Sequence, residues 1–362
     1  MKKKDLIITI IFIFMLIGPN IIYWFTYDKM DHANYENKEP ANKQTLTFKN
    51  ITNYPKEYEN YYNDTIAFKN EFRKYSSYIH YKLLDTTSNK NVMIGKDNWL
   101  FYSSPIDANT ISDYQKISRY SNEEKEFIKD KLEYTKEKLE EDNINFYFFI
   151  APNKENVYSD YISNIINRND KTKYSKTEDL INYLNEKSNV DVIYPKNSLI
   201  KNRKNADTYY KFDTHWNNYG SYLGTMELIK TIDSSYEEPS IKIEYGDSSG
   251  DLANMILLSN YLINKEPNII NFYDDVSYDC EDVNNLKYCK NNDYIYDKTL
   301  FIIGDSFREA MSQYLPKLFS ETIIMHRDYY NPELLKEYTP DIFIYETVER
   351  YSSIIMNYKI TE

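Results

Sequence analysis

Glycine, cysteine and histidine are scarce in this chain, with 7, 2 and 4 residues among 362. So few glycines argue against a phosphate-cradling loop, and neither G-x-G-x-x-G nor a P-loop pattern occurs. Two cysteines without a neighbouring histidine supply half a ligand set, which excludes a structural zinc site. An excess of basic residues is also lacking: 44 Lys and Arg against 56 Asp and Glu leave a net charge of −12, the wrong sign for coating nucleic acid. The balance of 41% hydrophobic and 28% charged residues is that of a globular chain, long enough for one large domain or two ordinary ones. What is abundant is tyrosine, 39 residues. Alongside much Asn, Lys and Ile it reads first as compositional bias, and second as material for a sugar-binding surface.

Only one long apolar run exists. Met1-Lys2-Lys3-Lys4 precedes Leu6 to Phe25, which carries no charge and has about the length of a bilayer-spanning helix. A cleaved signal peptide is the competing reading, but bulky Ile21, Ile22, Tyr23, Trp24 and Phe25 follow Pro19 where small residues belong. As an anchor, Leu6 to Phe25 leaves the lysines in the cytoplasm and sends everything after Asp28 outside. The chain then reads as a single-pass membrane protein with an extracytoplasmic domain. In that setting Cys280 and Cys289 either close a small disulfide loop or remain two unrelated thiols.

The expected organisation is a cytoplasmic and transmembrane segment over 1–26, a stalk with an amphipathic helix over 27–88, and a large domain over 89–362. Residues 27 to about 60 are polar with Pro40 and Pro55, whereas Phe68, Phe72, Ile79 and Leu83 recur at helical spacing. Val92 to Tyr102 reads as two strand pieces around a turn from Gly95 to Asn98. Ser121-Asn122-Glu123-Glu124 is a capping box opening a helix of about 20 residues. Apolar strands at 144–150, 190–194, 299–303, 322–325 and 341–345 alternate with helices near 176–186, 306–315 and 332–337. That alternation predicts an α/β domain with a largely parallel sheet. Residues from about 235 to 296, which hold both cysteines, lack the pattern and are expected to form an insertion or lid.

Two short motifs could carry chemistry. Gly304-Asp305-Ser306-Phe307 directly follows a buried strand and opens a helix, so the Ser306 hydroxyl sits at the carboxyl edge of the sheet, with its own N–H available to an oxyanion. The plainer reading is a helix cap. In Phe212-Asp213-Thr214-His215-Trp216, residues two apart point the same way in extended chain, so Asp213 can orient the His215 ring as a base. A serine nucleophile needs that pair; a surface Asp–His pair is the alternative. His326 is the rival base, and His32 and His80 lie in the stalk and the amphipathic helix.

Asp213-Thr214-His215-Trp216 followed by Gly304-Asp305-Ser306-Phe307 resembles the AlgX/AlgJ-like (DHHW-type) acetyltransferases of the SGNH-hydrolase-like superfamily. Further matching points are Gly95 to Phe101, Ala151-Pro152-Asn153-Lys154 with Tyr158, Gly250-Asp251-Leu252 and Glu349-Arg350. The resemblance spans about residues 90 to 355. It implies a three-layer SGNH-hydrolase-like domain, circularly permuted, with Ser306 as nucleophile, His215 as general base and acid, and Asp213 as its orienting partner. The Gly and Asn that complete the oxyanion hole of ordinary SGNH enzymes have no match; Asn153, Arg308 and Trp216 are the candidates for that role or for substrate binding. The implied activity is O-acetylation of an exopolysaccharide or cell-surface polysaccharide through an acetyl-serine, with no metal or nucleotide cofactor. A membrane-bound O-acyltransferase would supply the acetyl group. The same residues would serve a secreted carbohydrate acetylesterase, and a non-catalytic polysaccharide-binding assembly protein could keep the fold.

Overall fold

The computed structural model describes residues 3–33, 35, 39–169 and 172–361. Met1 and Lys2 of the expected cytoplasmic lysine cluster lie outside the described residues. The chain divides into two compact units, Lys90–Ala253 with Ser259–Glu362, and Met1–Asn89 with Asn254–Leu258.

In the larger unit β1 (Val92–Ile94) and β2 (Leu100–Tyr102) form an antiparallel ribbon. The main sheet is built from β3 (Asn145–Ala151) and β4 (Asp191–Ile193), and from the later β7 (Tyr278–Val283), β8 (Leu286–Asn291), β9 (Tyr296–Gly304), β10 (Phe319–His326) and β11 (Ile342–Val348). A second ribbon pairs β5 (Ile243–Ser248) with β6 (Asn264–Ile269). The seven-stranded order is β4-β3-β11-β9-β10-β8-β7. Its first five strands run parallel, while β8 and β7 close the edge antiparallel.

Alternation along the central strands assigns their side chains to two cores. Leu300 and Ile302 of β9 join Ile342 and Ile344 of β11 on one face. Phe301, Ile303, Phe343 and Tyr345 line the other. The second face is covered by the helix Asn122–Glu141 through Ile128, Leu132 and Leu139, and by the helix Lys176–Lys187 through Leu180 and Leu184. Both helices start on serine capping boxes, Ser121 with Glu124 and Ser175 with Glu178, so their registers are fixed locally before packing. The first face is covered by the helix Asn218–Ile232, buried on nearly every side, through Tyr222, Leu228 and Ile229. An all-round buried helix has no polar stripe, which is why its periodicity is hard to read from sequence. Two helical layers around a mostly parallel sheet give the expected three-layer α/β architecture.

Residues 235–296 are organised differently from an irregular insertion or lid. They hold the β5–β6 ribbon, and β8 extends the main sheet by pairing antiparallel with β10. The hairpin joining β7 to β8 turns on Asn284 and Asn285, both in the left-handed region at φ 50° and 63°, a two-residue loop suited to right-twisted strands. Cys280 and Cys289 face each other across this hairpin and form a disulfide.

In the smaller unit the helix Lys3–Thr26 is long and apolar enough to cross a membrane. Residues expected as a featureless stalk contain a further helix, Tyr54–Thr65, which uses Pro55 in its first turn, where proline removes no needed donor. The helix Lys69–Leu83 follows.

The hairpin generates a stability test. Cys280→Ser with Cys289→Ser opens a loop of short span, for which loop-closure entropy gives a loss of about 2 kcal/mol. Urea denaturation should show a lower midpoint for the double variant, equal to that of the reduced wild type.

Candidate active site

The carboxyl ends of β3, β9 and β11 bring three loops to one edge of the sheet, where open α/β folds place ligands. After β9, Ser306 is exposed while its neighbours Asp305 and Phe307 are buried. The turn is held from below. The Asp305 N–H donates to Glu346 Oε2 at 3.0 Å, and the Asp305 carboxylate accepts from Phe307 N at 3.1 Å, Val348 N at 2.7 Å and Arg327 Nη1 at 3.2 Å. Gly304 lies so close to the Glu346 side chain that a Cβ there would overlap it. Burial, then the Asp305 charge, push the Glu346 carboxyl well above the usual carboxylate range. The Asp305 carboxylate therefore takes the first N–H of the short helix Phe307–Met311, and Ser306, at the N-cap position, makes no side-chain capping bond and points outward.

Ser306 Oγ lies 2.7 Å from His215 Nε2, and His215 Nδ1 lies 2.6 Å from Asp213 Oδ1. Asp213 Oδ1 also accepts from His215 N at 2.9 Å, and its Oδ2 from Asp251 N at 2.8 Å. Burial works against the Asp213 charge, but the hydrogen bond and charge of His215 and the two backbone donors outweigh it and hold the carboxyl below its ordinary pKa. Asp251 accepts from Thr214 N at 2.8 Å and from the Thr214 hydroxyl, so it braces the loop between Asp213 and His215. Burial and the Asp213 charge raise the Asp251 carboxyl. Asp213, His215 and Asp251 are close enough together to suggest a metal cluster. Each carboxylate oxygen of the pair already accepts an N–H or O–H, however, so the donor set fits an orienting network better than a cation. Gly250 makes the approach possible, since a Cβ at this position would overlap Asp213 Cβ and Phe212 O.

These distances describe a hydroxyl, a base in reach of its proton, and an acid that fixes the base, the constellation of nucleophilic acyl transfer. The Ser306 N–H has no hydrogen-bond partner among the described residues and is free to face an oxyanion. His326, the rival base, ends β10; its Nδ1 accepts from Asp328 N at 3.3 Å, and it makes no hydrogen bond to Ser306.

The family model described as "SGNH hydrolase-like domain, acetyltransferase AlgX" matches residues 92–293. The chain belongs to this acetyltransferase family. Among solved structures, PatB1 of Bacillus cereus superposes with a TM-score of 0.54 at 17% identity, covering 75% of this chain and 100% of that one. A DHHW family protein from Eubacterium siraeum gives a TM-score of 0.50 at 14% identity, covering 76% and 98%. At these identities the likeness shows the fold. No curated protein sequence matches the chain.

The family-like motifs without an assigned role form one brace behind the Asp213–His215 loop. Lys154 is fully enclosed and donates to Leu100 O at 2.7 Å, Asp213 O at 2.9 Å and Lys211 O at 3.0 Å. Its ammonium also lies 4.9 Å from the Trp99 ring centroid and 5.2 Å from that of Phe101. Burial pushes it down to about 8, while the charges of Asp213, Glu155, Asp251 and Glu266 hold it up, so it is charged at neutral pH. Three acceptors for three ammonium protons make this a closed set. The motifs around Gly95 to Phe101, Asn153-Lys154 and Gly250-Asp251 thus meet at a single loop.

The three candidates for a second oxyanion donor or a substrate contact are all buried. Trp216 is enclosed in the core, against Phe307 at 5.3 Å and Phe149 at 6.1 Å, and donates its one N–H to Phe307 O at 3.1 Å. It wedges the helix Phe307–Met311 and has no surface to offer a sugar. Asn153 is buried, its N–H on Glu349 at 2.8 Å and its Oδ1 accepting from Arg350 N at 3.2 Å. The Asn153 Nδ2 is enclosed without a partner. Arg308 turns Nη1 to Glu309 at 2.7 Å. The cation that sequence reasoning left without a role is Arg350, whose guanidinium lies 5.5 Å from the Phe307 ring centroid, the same ring that His215 meets at 4.9 Å. Its position directly after β11, beside the edge that carries Ser306, was the available signal.

Two outcomes test this assembly. Lys154→Met leaves three carbonyls unpaired and an oriented loop unsupported, and should lower stability by about 3 kcal/mol or more in urea titration. The depressed Asp213 pKa stabilises the fold above the unfolded carboxyl value of about 3.9, an effect lost as pH falls through the lower folded value. The stability gap between wild type and Asp213→Asn should therefore shrink as pH falls below about 4.

Proposed function

We propose that this chain is an extracytoplasmic, membrane-anchored O-acetyltransferase that moves acetyl through Ser306 to a hydroxyl of a cell-surface or exopolysaccharide. The observation that carries the reading is the continuous row Ser306 Oγ, His215, Asp213 at 2.7 and 2.6 Å. In the first half-reaction His215 Nε2 takes the Ser306 proton as Oγ attacks the acetyl carbonyl, and the charge on the carbonyl oxygen falls to the Ser306 N–H. Collapse of that intermediate expels the donor's oxygen, which takes the proton from His215. In the second half a sugar hydroxyl gives its proton to His215, attacks the acetyl ester, and leaves Ser306 protonated. Asp213, ionised throughout, holds the ring orientation and offsets the imidazolium charge. The Arg350 guanidinium, over the Phe307 ring that His215 also meets, is the candidate for a further positive charge at the site.

The family membership and the apolar helix Lys3–Thr26 support the placement. Acetyl-CoA is a cytoplasmic donor, so a membrane-bound O-acyltransferase passing acetyl across the bilayer is the partner this reading requires, and the anchor would keep the enzyme beside it.

The test is to incubate wild type and Ser306→Ala with an activated acetyl ester and neutral or amino-sugar oligosaccharides, then separate acetylated sugar from free acetate by mass spectrometry. Wild type should yield acetylated sugar, with Ser306→Ala reduced by roughly 10³-fold or more and His215→Ala comparably. Free acetate alone would make the chain an esterase, and full activity in Ser306→Ala would remove the nucleophile assignment.

A further inference from the structure

The helix Lys69–Leu83 is amphipathic in the opposite sense to a surface helix of a soluble domain. Its buried residues are Asn70, Ser77 and Tyr81. Asn70 Nδ2 donates to Asp31 O at 2.9 Å and Ala33 O at 3.0 Å, Lys74 pairs with Asp31, and Ser77 meets Ser88 at 2.6 Å. The polar face is therefore the one packed against the protein. The apolar face points away: Phe72, Tyr75, Ile79 and Leu83, spaced three and four apart, are 62%, 68%, 47% and 76% exposed. Four large apolar side chains in one exposed row form the kind of patch that marks a contact surface.

Two features identify what covers it. The stripe is continuous with the apolar N-terminal helix, because Tyr23 near the end of that helix contacts Phe68 at 5.2 Å, and Phe68 contacts Phe72 at 6.2 Å. The helix is also net positive: within a chain of net charge −12 it carries Lys69, Arg73, Lys74 and Lys82 against Glu71, with Lys69 paired to Asp64 and Lys74 to Asp31. At 100° per residue, Lys82 falls on one border of the apolar stripe, where a long cationic side chain reaches headgroups while the rings beside it enter the acyl boundary; Lys69, on the other border, is ion-paired with Asp64 at 3.4 Å.

We infer that the helix Lys69–Leu83 lies in the headgroup region of the bilayer that carries the anchor, with Phe72, Tyr75, Ile79 and Leu83 inserted. It is a second membrane contact, of the interfacial kind, and favours anionic lipid. The inference rests on the anchor reading given above, and on nothing in the acetyl-transfer chemistry. Insertion adds buried apolar area to a chain already tethered, so its effect is to fix the height and orientation of this unit at the membrane surface.

The experiment uses the full chain, with its Cys280–Cys289 disulfide intact, in vesicles of phosphatidylethanolamine and phosphatidylglycerol. Nitroxide labels are placed through Tyr75→Cys, Ile79→Cys and, as an aqueous reference, Glu137→Cys on the helix Asn122–Glu141, with accessibility to oxygen and to a nickel chelate read by power-saturation resonance. Labels at 75 and 79 should show an oxygen-to-nickel accessibility ratio several-fold above that at 137, and the excess should shrink in phosphatidylcholine vesicles. Chains retained after carbonate washing with labels at 75 and 79 matching 137 would overturn the inference and leave the anchor intact. Shielding seen only in native membranes, and absent in pure lipid, would also overturn it and assign the stripe to a membrane protein. Loss of the chain on carbonate washing would refute the anchor, and the inference with it.

Discussion

The half-buried negative charge of Asp213 is the constraint on which the site depends. A carboxylate drawn out of water is unfavourable unless its lone pairs are answered, and here they are answered by the His215 ring and N–H and by the Asp251 N–H, while the Lys154 ammonium anchors the backbone carbonyl of the same residue. Each donor is fixed by its own element. Lys154 is held by the turn after β3, Asp251 opens a helix at the point where Gly250 permits contact, and Thr214 ties Asp251 back to the loop. The orientation of the imidazole is thus set by backbone and core, which is the preorganisation a base needs if no reorganisation is to accompany proton transfer.

Ser306 is positioned by a separate network of opposite character. Asp305 uses its carboxylate to tie the turn to β11 and Arg327, while Glu346 accepts the Asp305 N–H from a site so enclosed that its own charge is disfavoured. The two networks meet at Phe307, whose ring contacts His215 and Trp216 and whose carbonyl accepts from Trp216. The hydrogen bond between His215 and Ser306 is therefore the junction of two independently braced parts. A change in either brace should alter that one distance before it alters the fold.

Much of this was legible in the sequence where periodicity or capping acts locally. The capping boxes at Ser121 and Ser175, the apolar strands and the Asp213, His215 and Ser306 motifs all announce themselves within a few residues. Three things did not. The helix Asn218–Ile232 is buried on nearly all sides and so lacks an amphipathic pattern. The β7–β8 hairpin is polar on its exposed face and was taken for part of an insertion, although Asn284-Asn285 is a turn signal. Trp216, a candidate for substrate contact beside His215 in sequence, instead fills the core.

The scarcity of glycine also changes meaning. Among the described residues no glycine adopts positive φ; left-handed positions are taken by Asp97, Asn98, Asn109, Asn143, Asn284 and Asn285 among others. Asparagine, abundant enough to look like bias, performs the turns, and glycine is left for close approach, at Gly250 against Asp213 and Gly304 against Glu346. The central claim is that acetyl passes through Ser306 under the control of His215 and Asp213. Rapid quenching during turnover of an acetyl ester, followed by peptide mapping, tests it most directly. The account predicts a single acetyl group on the peptide containing Ser306, discharged when acceptor sugar is added. Acetyl on another residue, or turnover with Ser306 never acylated, would contradict it.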